Sequence, residues 1–327
     1  MTGVQTVRVK KDEADWRLDK WFKIHFPELT YGRLSKLLRT GQIRMDGKRV
    51  KANARISPGN EIRVPPLGAA PDAPRADYVP AVTAEEVRYA RELIIHEDED
   101  IVVLNKPPGL AVQGGTKTTR HIDGLLPAFQ KKGQGRPKLV HRLDKDTSGV
   151  LVIARNAQAA KFLTAAFRER TTRKIYWALV VGRPELESGQ VRAPLEKEAG
   201  AGGERMMVSD DGKPAHTLFH VMDHAHDKAS WLVMMPLTGR THQLRVHAKV
   251  MGTPIVGDGK YGGQDAFLQG AVSRKLHLHA RHLDIPHPKG GTLSITAELP
   301  AHMLETWNMF GLDPHDRTDP FLEEISY

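Results

Sequence analysis

The chain predicts an α+β fold: a small basic αα–β module followed by a larger domain on a mostly antiparallel sheet. Three observations carry this. Strand-length apolar runs recur between residues 85 and 300 (LIIHEDEDIVVLNK, VLVIAR, KIYWALVVG, HTLFHVM, SWLVMMPL, TLSITAEL). Helical patterns among them are few, AQAAKFLTAAFRER being the clearest, which argues for sheet and helix in separate layers. A Pro- and Ala-rich stretch without apolar period, residues 66–84, sets these runs apart from what precedes them, as a linker would. Charge divides the chain at the same place. Residues 1–68 hold 15 Lys and Arg against 7 Asp and Glu; the remainder holds 33 against 32.

The front module is expected over residues 14–65. Leu18, Trp21 and Phe22 stand at i, i+3 and i+4 and share one helix face. Thr30 can cap a second helix that Gly41 ends. In it Leu34, Leu37 and Leu38 form the packing stripe, while Arg33, Lys36 and Arg39 fall on the opposite side. Asp46-Gly47 between two short β-like runs signals a hairpin carrying Arg44, Lys48 and Arg49, and Glu61–Val64 can close it as a strand. So concentrated a positive charge suits a polyanion. The order resembles S4-type RNA-binding domains through RLDKWF, RLSKLLRTGQIRMDGKRV and PGNEIRVP. A helical hairpin used for protein contacts is the alternative.

The second domain is expected over 85–300, with 301–327 as a C-terminal extension of no assigned role. There is no cysteine, which excludes disulfides, thiolate metal sites and thiol nucleophiles and fits a reducing cytoplasm. No apolar run approaches a membrane span, and the first residues lack the apolar core of a signal peptide. Neither G-x-x-x-x-G-K-[ST] nor G-x-G-x-x-G occurs, so no nucleotide cofactor is expected. His277, His279 and His282 invite a metal reading, but their spacing fits sheet-surface histidines better, and no metal is expected.

Three polar clusters can do chemistry. His141–Ser148 is polar at seven of eight positions and runs into an apolar strand, so it should project from a sheet edge. Within it Asp144 lies between Arg142 and Lys145, and nearby cations keep a carboxylate ionised. It can be a nucleophile or base, or the cap of a structural turn. In Gly239-Arg240-Thr241-His242-Gln243-Leu244-Arg245, the turn arginine Arg240 can reach a carboxylate on a neighbouring loop. Strand alternation there would put His242, Leu244 and Val246 on one face. Tyr176, in Arg173–Val180, can stack on a planar base or serve as an ordinary core aromatic.

HRLDKDTSG followed by VLVIAR resembles the signature of the RluA-type pseudouridine synthases. NKPPGLAVQ at 105–113, RKIYWALVVG at 173–182 and LTGRTHQLRVHAKVMGTPIVGDGKYGG at 237–263 are similar to other family blocks and stand in the family's order. The resemblance implies isomerisation of uridine in RNA, with Asp144 as the catalytic aspartate and Arg240 pairing with it. It implies that Tyr176 stacks on the base and helps move a proton from C5. Arg142 would fill the gap left in the RNA stack, and Leu244 would line the base pocket. KGQGRPKLVHRLDKDTSGV and RTGQIRMDGKRVK resemble the RluC-type branch more than the RluD-type. The implied partner is large-subunit ribosomal RNA or a pre-ribosomal particle, met by a cytoplasmic monomer without cofactor. The competing expectations are RluD-like site choice, a non-catalytic ribosome-assembly protein, and a glycosidase. A glycosidase needs a second carboxylate at ~5–9.5 Å and leaves the basic module unexplained.

Overall fold

A computed structural model describes residues 3–67, 82–115, 120–131, 133–198 and 205–322. The chain forms two compact units, Met1–Pro80 and Ala81–Tyr327. Most of the expected linker falls outside the described residues.

The first unit holds β1 (Gln5–Arg8), α1 (Leu18–His25), α2 (Tyr31–Arg39), β2 (Arg44–Met45) and β3 (Glu61–Val64). Thr30 caps α2, its Oγ accepting from the Arg33 N–H. Leu18, Trp21, Phe22, Leu34 and Leu38 are buried in one cluster with Ile43, Ile56 and Ile62, as the helical period requires. Asp46 and Gly47 both take positive φ, 50° and 74°, the signature of a tight reversal. The chain beyond that turn does not continue as a second hairpin strand. Instead β3 pairs antiparallel with both β2 and β1, so the unit begins before residue 14.

The second unit runs through α3 (Ala84–Glu92), β4 (Ile94–Glu97), β5 (Ile101–Lys106), α4 (Ile122–Leu125), β6 (Lys138–Leu139), β7 (Ser148–Ala154), α5 (Ala157–Glu169) and β8 (Arg173–Val181). It continues with β9 (Ser188–Arg192), β10 (Leu195–Lys197), β11 (Met206–Val208), β12 (His216–Ala225), β13 (Ala229–Pro236) and α6 (Gln243–Val250). β14 (Leu278–Pro286), β15 (Thr292–Thr296) and α7 (Ala301–Phe310) complete it. Ten strands make one sheet along the path β4-β5-β7-β14-β8-β13-β12-β9, with β15 on β14 and β6 on β7. Its pairings are antiparallel except β7 with β14, so the α+β expectation holds for this unit.

Side-chain alternation along β8 divides the layers. Ile175, Trp177 and Leu179 face a core completed by Trp231 and by Met303 and Trp307 of α7. Ala178 and Val180 face the other side, against Leu244 and Ala248 of α6. α5 covers β5 and β7 through Ala159 and Leu163. Gly149 makes the parallel join possible. At φ 108°, an added Cβ would lie 2.2 Å from the Ala280 carbonyl oxygen.

Two expectations are corrected here. Of the C-terminal segment, the described residues 301–322 belong to the fold. Leu312 and Phe321 are buried in the tryptophan core, Arg281 donates to the Pro314 carbonyl, and Arg173 pairs with Asp319. The histidines are not surface residues either. His277 and His279 are fully buried: His279, on the central strand β14 that is covered on both faces, bonds Ser148, and His277, just before that strand, bonds Thr306 and packs on His302 of α7. His282 alone of the three is partly open, against Thr296 and Asp284. Among the described residues no cluster of His, Asp and Glu is arranged to hold a metal ion.

Candidate active site

The polar loop between β6 and β7 is held from behind. His141 Nε2 accepts from the Val152 N–H at 2.8 Å, and its ring stacks on Phe167. Burial, with the charge of Lys174, pushes His141 down to about 3, so the ring is neutral and Nε2 can accept. Leu143 is buried in the core beneath. Lys106, fully buried at the end of β5, donates to the carbonyls of Pro107, Leu110 and Lys145 at 2.8–2.9 Å. It thereby ties the NKPPG turn to the residue after Asp144. Burial lowers Lys106 to about 7, against the opposing pull of Asp146 and Asp144.

This scaffold leaves Asp144 half-buried on the wall of a cleft of ≈ 540 Å³. Arg142, Tyr176, Arg240 and Leu244 line the same cleft, so the structure brings together all five residues expected from the second domain. Tyr176 reaches it from β8. Burial and then the charge of Asp144 raise its phenol above the ordinary value, so it stays protonated. A second hollow of ≈ 620 Å³ opens on the other side of Asp144 and shares His242 and Arg245 with the first.

The arginine pairing differs from expectation. Arg240 makes no ion pair with Asp144; its Nε donates to the Pro214 carbonyl at 3.0 Å. The reason is local. The expected strand after Gly239 is the helix α6, whose entry is fixed by Gln243. Its Oε1 accepts from the Thr238 hydroxyl and the Arg240 N–H, and its Nε2 donates to the His216 carbonyl. Burial on all sides of Gln243–Ala248 gave the segment no clean helical stripe, so alternation was a misleading guide.

The helix brings up two residues that the sequence reading passed over. His242, at the helix start with φ 53°, places Nε2 3.9 Å from Asp144 Oδ2. Its Nδ1 hydrogen-bonds the Tyr261 hydroxyl at 2.6 Å. Arg245 grips Asp258 through two bonds of 2.8 and 2.7 Å. Burial opposes the Arg245 charge, but the Asp258 hydrogen bonds and charge, then Asp144's charge, hold its pKa above the ordinary arginine value. His242 and Arg245 are three apart, the spacing of helix neighbours; reading GRTHQLR with period 3.6 would have found them.

The six cations expected of the first unit lie elsewhere in the chain. Lys36, Arg39, Lys48 and Arg49 are exposed. Arg33 is turned onto the Leu67 carbonyl, and Arg44 onto those of Gly41 and Gly47.

An aspartate, a protonated phenol and a guanidinium converging on one cleft of a mixed α/β sheet suit chemistry on a planar base. Residues 100–249 match the family model described as RNA pseudouridylate synthase. The chain is 35% identical over 306 residues to ribosomal large subunit pseudouridine synthase C of Vibrio cholerae, covering 92% of this chain and 95% of the relative. It is 36% identical over 294 residues to the Escherichia coli K12 protein of the same name, covering 88% and 91%. Among solved structures, human RNA pseudouridylate synthase domain containing 4 superposes with a TM-score of 0.60 at 29% identity, covering 70% of this chain and 98% of that one. The human domain containing 1 gives 0.53 at 29%, covering 64% and 85%. The chain belongs to the RNA pseudouridylate synthase family. Its relatives named pseudouridine synthase C span nearly its whole length, as the resemblance to the RluC-type branch implied.

Proposed function

We propose that the protein isomerises specific uridines of large-subunit ribosomal RNA to pseudouridine, with Asp144 as the acting carboxylate. The observation that supports this most is the meeting of Asp144 and Tyr176 in one cleft, on a chain whose relatives are named for that reaction. The bond from C1′ of the ribose to N1 of uracil breaks, the ring turns, C1′ is rejoined at C5, and the C5 proton is lost as N1 gains one. Nothing enters or leaves, so no redox partner or nucleotide is required.

In this reading the target base leaves the RNA stack and enters the cleft. Tyr176 offers a ring face for stacking and a phenol that remains a donor. Leu244 forms the apolar wall. Arg142, exposed at the rim, fills the space the nucleotide vacates, and Arg240 meets the RNA at the mouth. Arg245 and His242 hold the electrostatic surroundings of Asp144. The first unit acts as an S4-like RNA-binding domain, with Lys36, Arg39, Lys48 and Arg49 on phosphates and Arg33 and Arg44 bracing the surface that carries them.

A pseudouridine map of ribosomal RNA from cells lacking the protein tests the reading. Discrete uridines of the large-subunit RNA should lose modification and regain it when the wild-type gene is returned. A map identical to that of the parent would overturn it.

A further inference from the structure

Lys174, Arg168 and Arg170 line the cleft without a task in the proposed chemistry, and Lys174 lies deepest of the three. Lys174 precedes Tyr176 by two residues on β8, so both project on the same face of the strand, and both line the cleft that holds Asp144. Two residues of extended strand place their side chains ~7 Å apart, which suits a base on one and its own backbone linkage on the other. The Lys174 ammonium has no hydrogen bond or ion pair among the described residues. Its charged neighbour is another cation, Arg170, which ends α5 in the left-handed conformation at φ 62°. Burial, and then Arg170, lower the Lys174 pKa. His141 beside it is neutral and supplies no counter-charge. Arg168, on the same rim, is already engaged by Glu169 at 2.9 Å.

Two neighbouring cations on one cleft, Lys174 half-buried and Arg170 exposed, repel each other in the RNA-free protein, and an anion entering beside them would relieve it. We propose that Lys174, with Arg170 beside it, seats a backbone phosphate of the RNA at the nucleotide whose base lies on Tyr176. The proposal rests on the reading of the cleft as a uridine site. It assigns Lys174 to substrate positioning, and Asp144 keeps the chemistry. Such a seat would fix where the flipped nucleotide stops, since base and phosphate would be held from one strand.

The test uses the full-length protein and an unmodified transcript of large-subunit ribosomal RNA. Binding is followed against salt concentration, and conversion is followed separately. Lys174→Met should fold as well as the wild type, since it removes a desolvated charge. It should raise KM by about tenfold, the size of one charge-assisted contact, with a much smaller change in kcat. The slope of log affinity against log salt should fall by about 0.7–0.9, one phosphate's worth. Lys174→Arg should restore both, and Arg170→Gln should move them in the same direction as Lys174→Met. A wild-type salt slope for Lys174→Met overturns the proposal, as does a loss confined to kcat. Conversion and binding separate the two readings. A wild-type protein that converts no uridine in the transcript defeats the proposed function, whereas the salt slope still decides the phosphate seat.

Discussion

His242 stands between Asp144 and Tyr261, with Nε2 3.9 Å from the carboxylate and Nδ1 2.6 Å from the phenol. The same Tyr261 hydroxyl accepts from the Met206 N–H at 3.0 Å, and the Arg245 guanidinium lies 5.1 Å from the Tyr261 ring centre. The surroundings of Asp144 are thus built from α6 and the segment after it.

Arg245 and Arg240 should therefore separate on mutation. Arg245→Met should lower kcat by about 10²–10³-fold, as expected for loss of a preorganised charge at a reacting centre. It should also cost about 3–5 kcal/mol of stability, because Asp258 is left buried and unpaired. Arg240→Ala should act mainly on KM, with stability near that of the wild type. Steady-state kinetics and urea unfolding of both variants check this; equal kcat losses would return Arg240 to the role the sequence suggested.

Stability should fall on acidification before the carboxylates titrate. His141 and His279 are held down to about 3 and His277 to about 4, each mainly by burial. The unfolded chain takes up these protons near pH 6.5 and the folded chain does not. The three neutral histidines thus contribute stability that is fully present above pH 6.5 and lost as pH falls toward 4 and 3. Urea midpoints across pH 7 to 4 should show a steep decline, made shallower in His279→Gln. A flat profile over that range would contradict these burials.

Gly149→Ala should destabilise by about 3 kcal/mol or more, since the new methyl meets the Ala280 carbonyl oxygen and φ is positive. Thermal unfolding reads this directly, and a melting temperature equal to the wild type's would show that the β7–β14 join can relax.

In the first unit, changing Lys36, Arg39, Lys48 and Arg49 together to Gln should weaken RNA binding and flatten its salt slope by up to about 3.5. Conversion at saturating RNA should suffer much less. Unaltered affinity and slope would make this unit a protein-contact element.

What the sequence made legible was local. Periodicity located α1, α2, α5 and most of the sheet, and the polar HRLDKDTS segment announced the loop that carries Asp144. What it hid depends on contacts distant in sequence. Leu312 and Phe321 lie in a segment given no role because they are few apolar residues among charged ones, and their partners lie on other elements. His277 and His279 looked exposed because alternation on a central strand resembles that on an edge. Arg240 drew the pairing role from its place after a glycine, while the helix that raises Arg245 was masked by its burial on every side. Lys106, within a recognisable motif, gave no sign that its ammonium would be buried under three carbonyls.

The most direct test of the central claim compares wild-type protein with Asp144→Asn on an unmodified large-subunit ribosomal RNA transcript. RNA binding is matched, and pseudouridine is mapped nucleotide by nucleotide. The amide keeps the shape of the side chain and loses its capacity as nucleophile or base. The wild type should convert a small set of uridines and the variant none, at equal RNA occupancy. Conversion of the same uridines by Asp144→Asn at the wild-type rate would contradict the account.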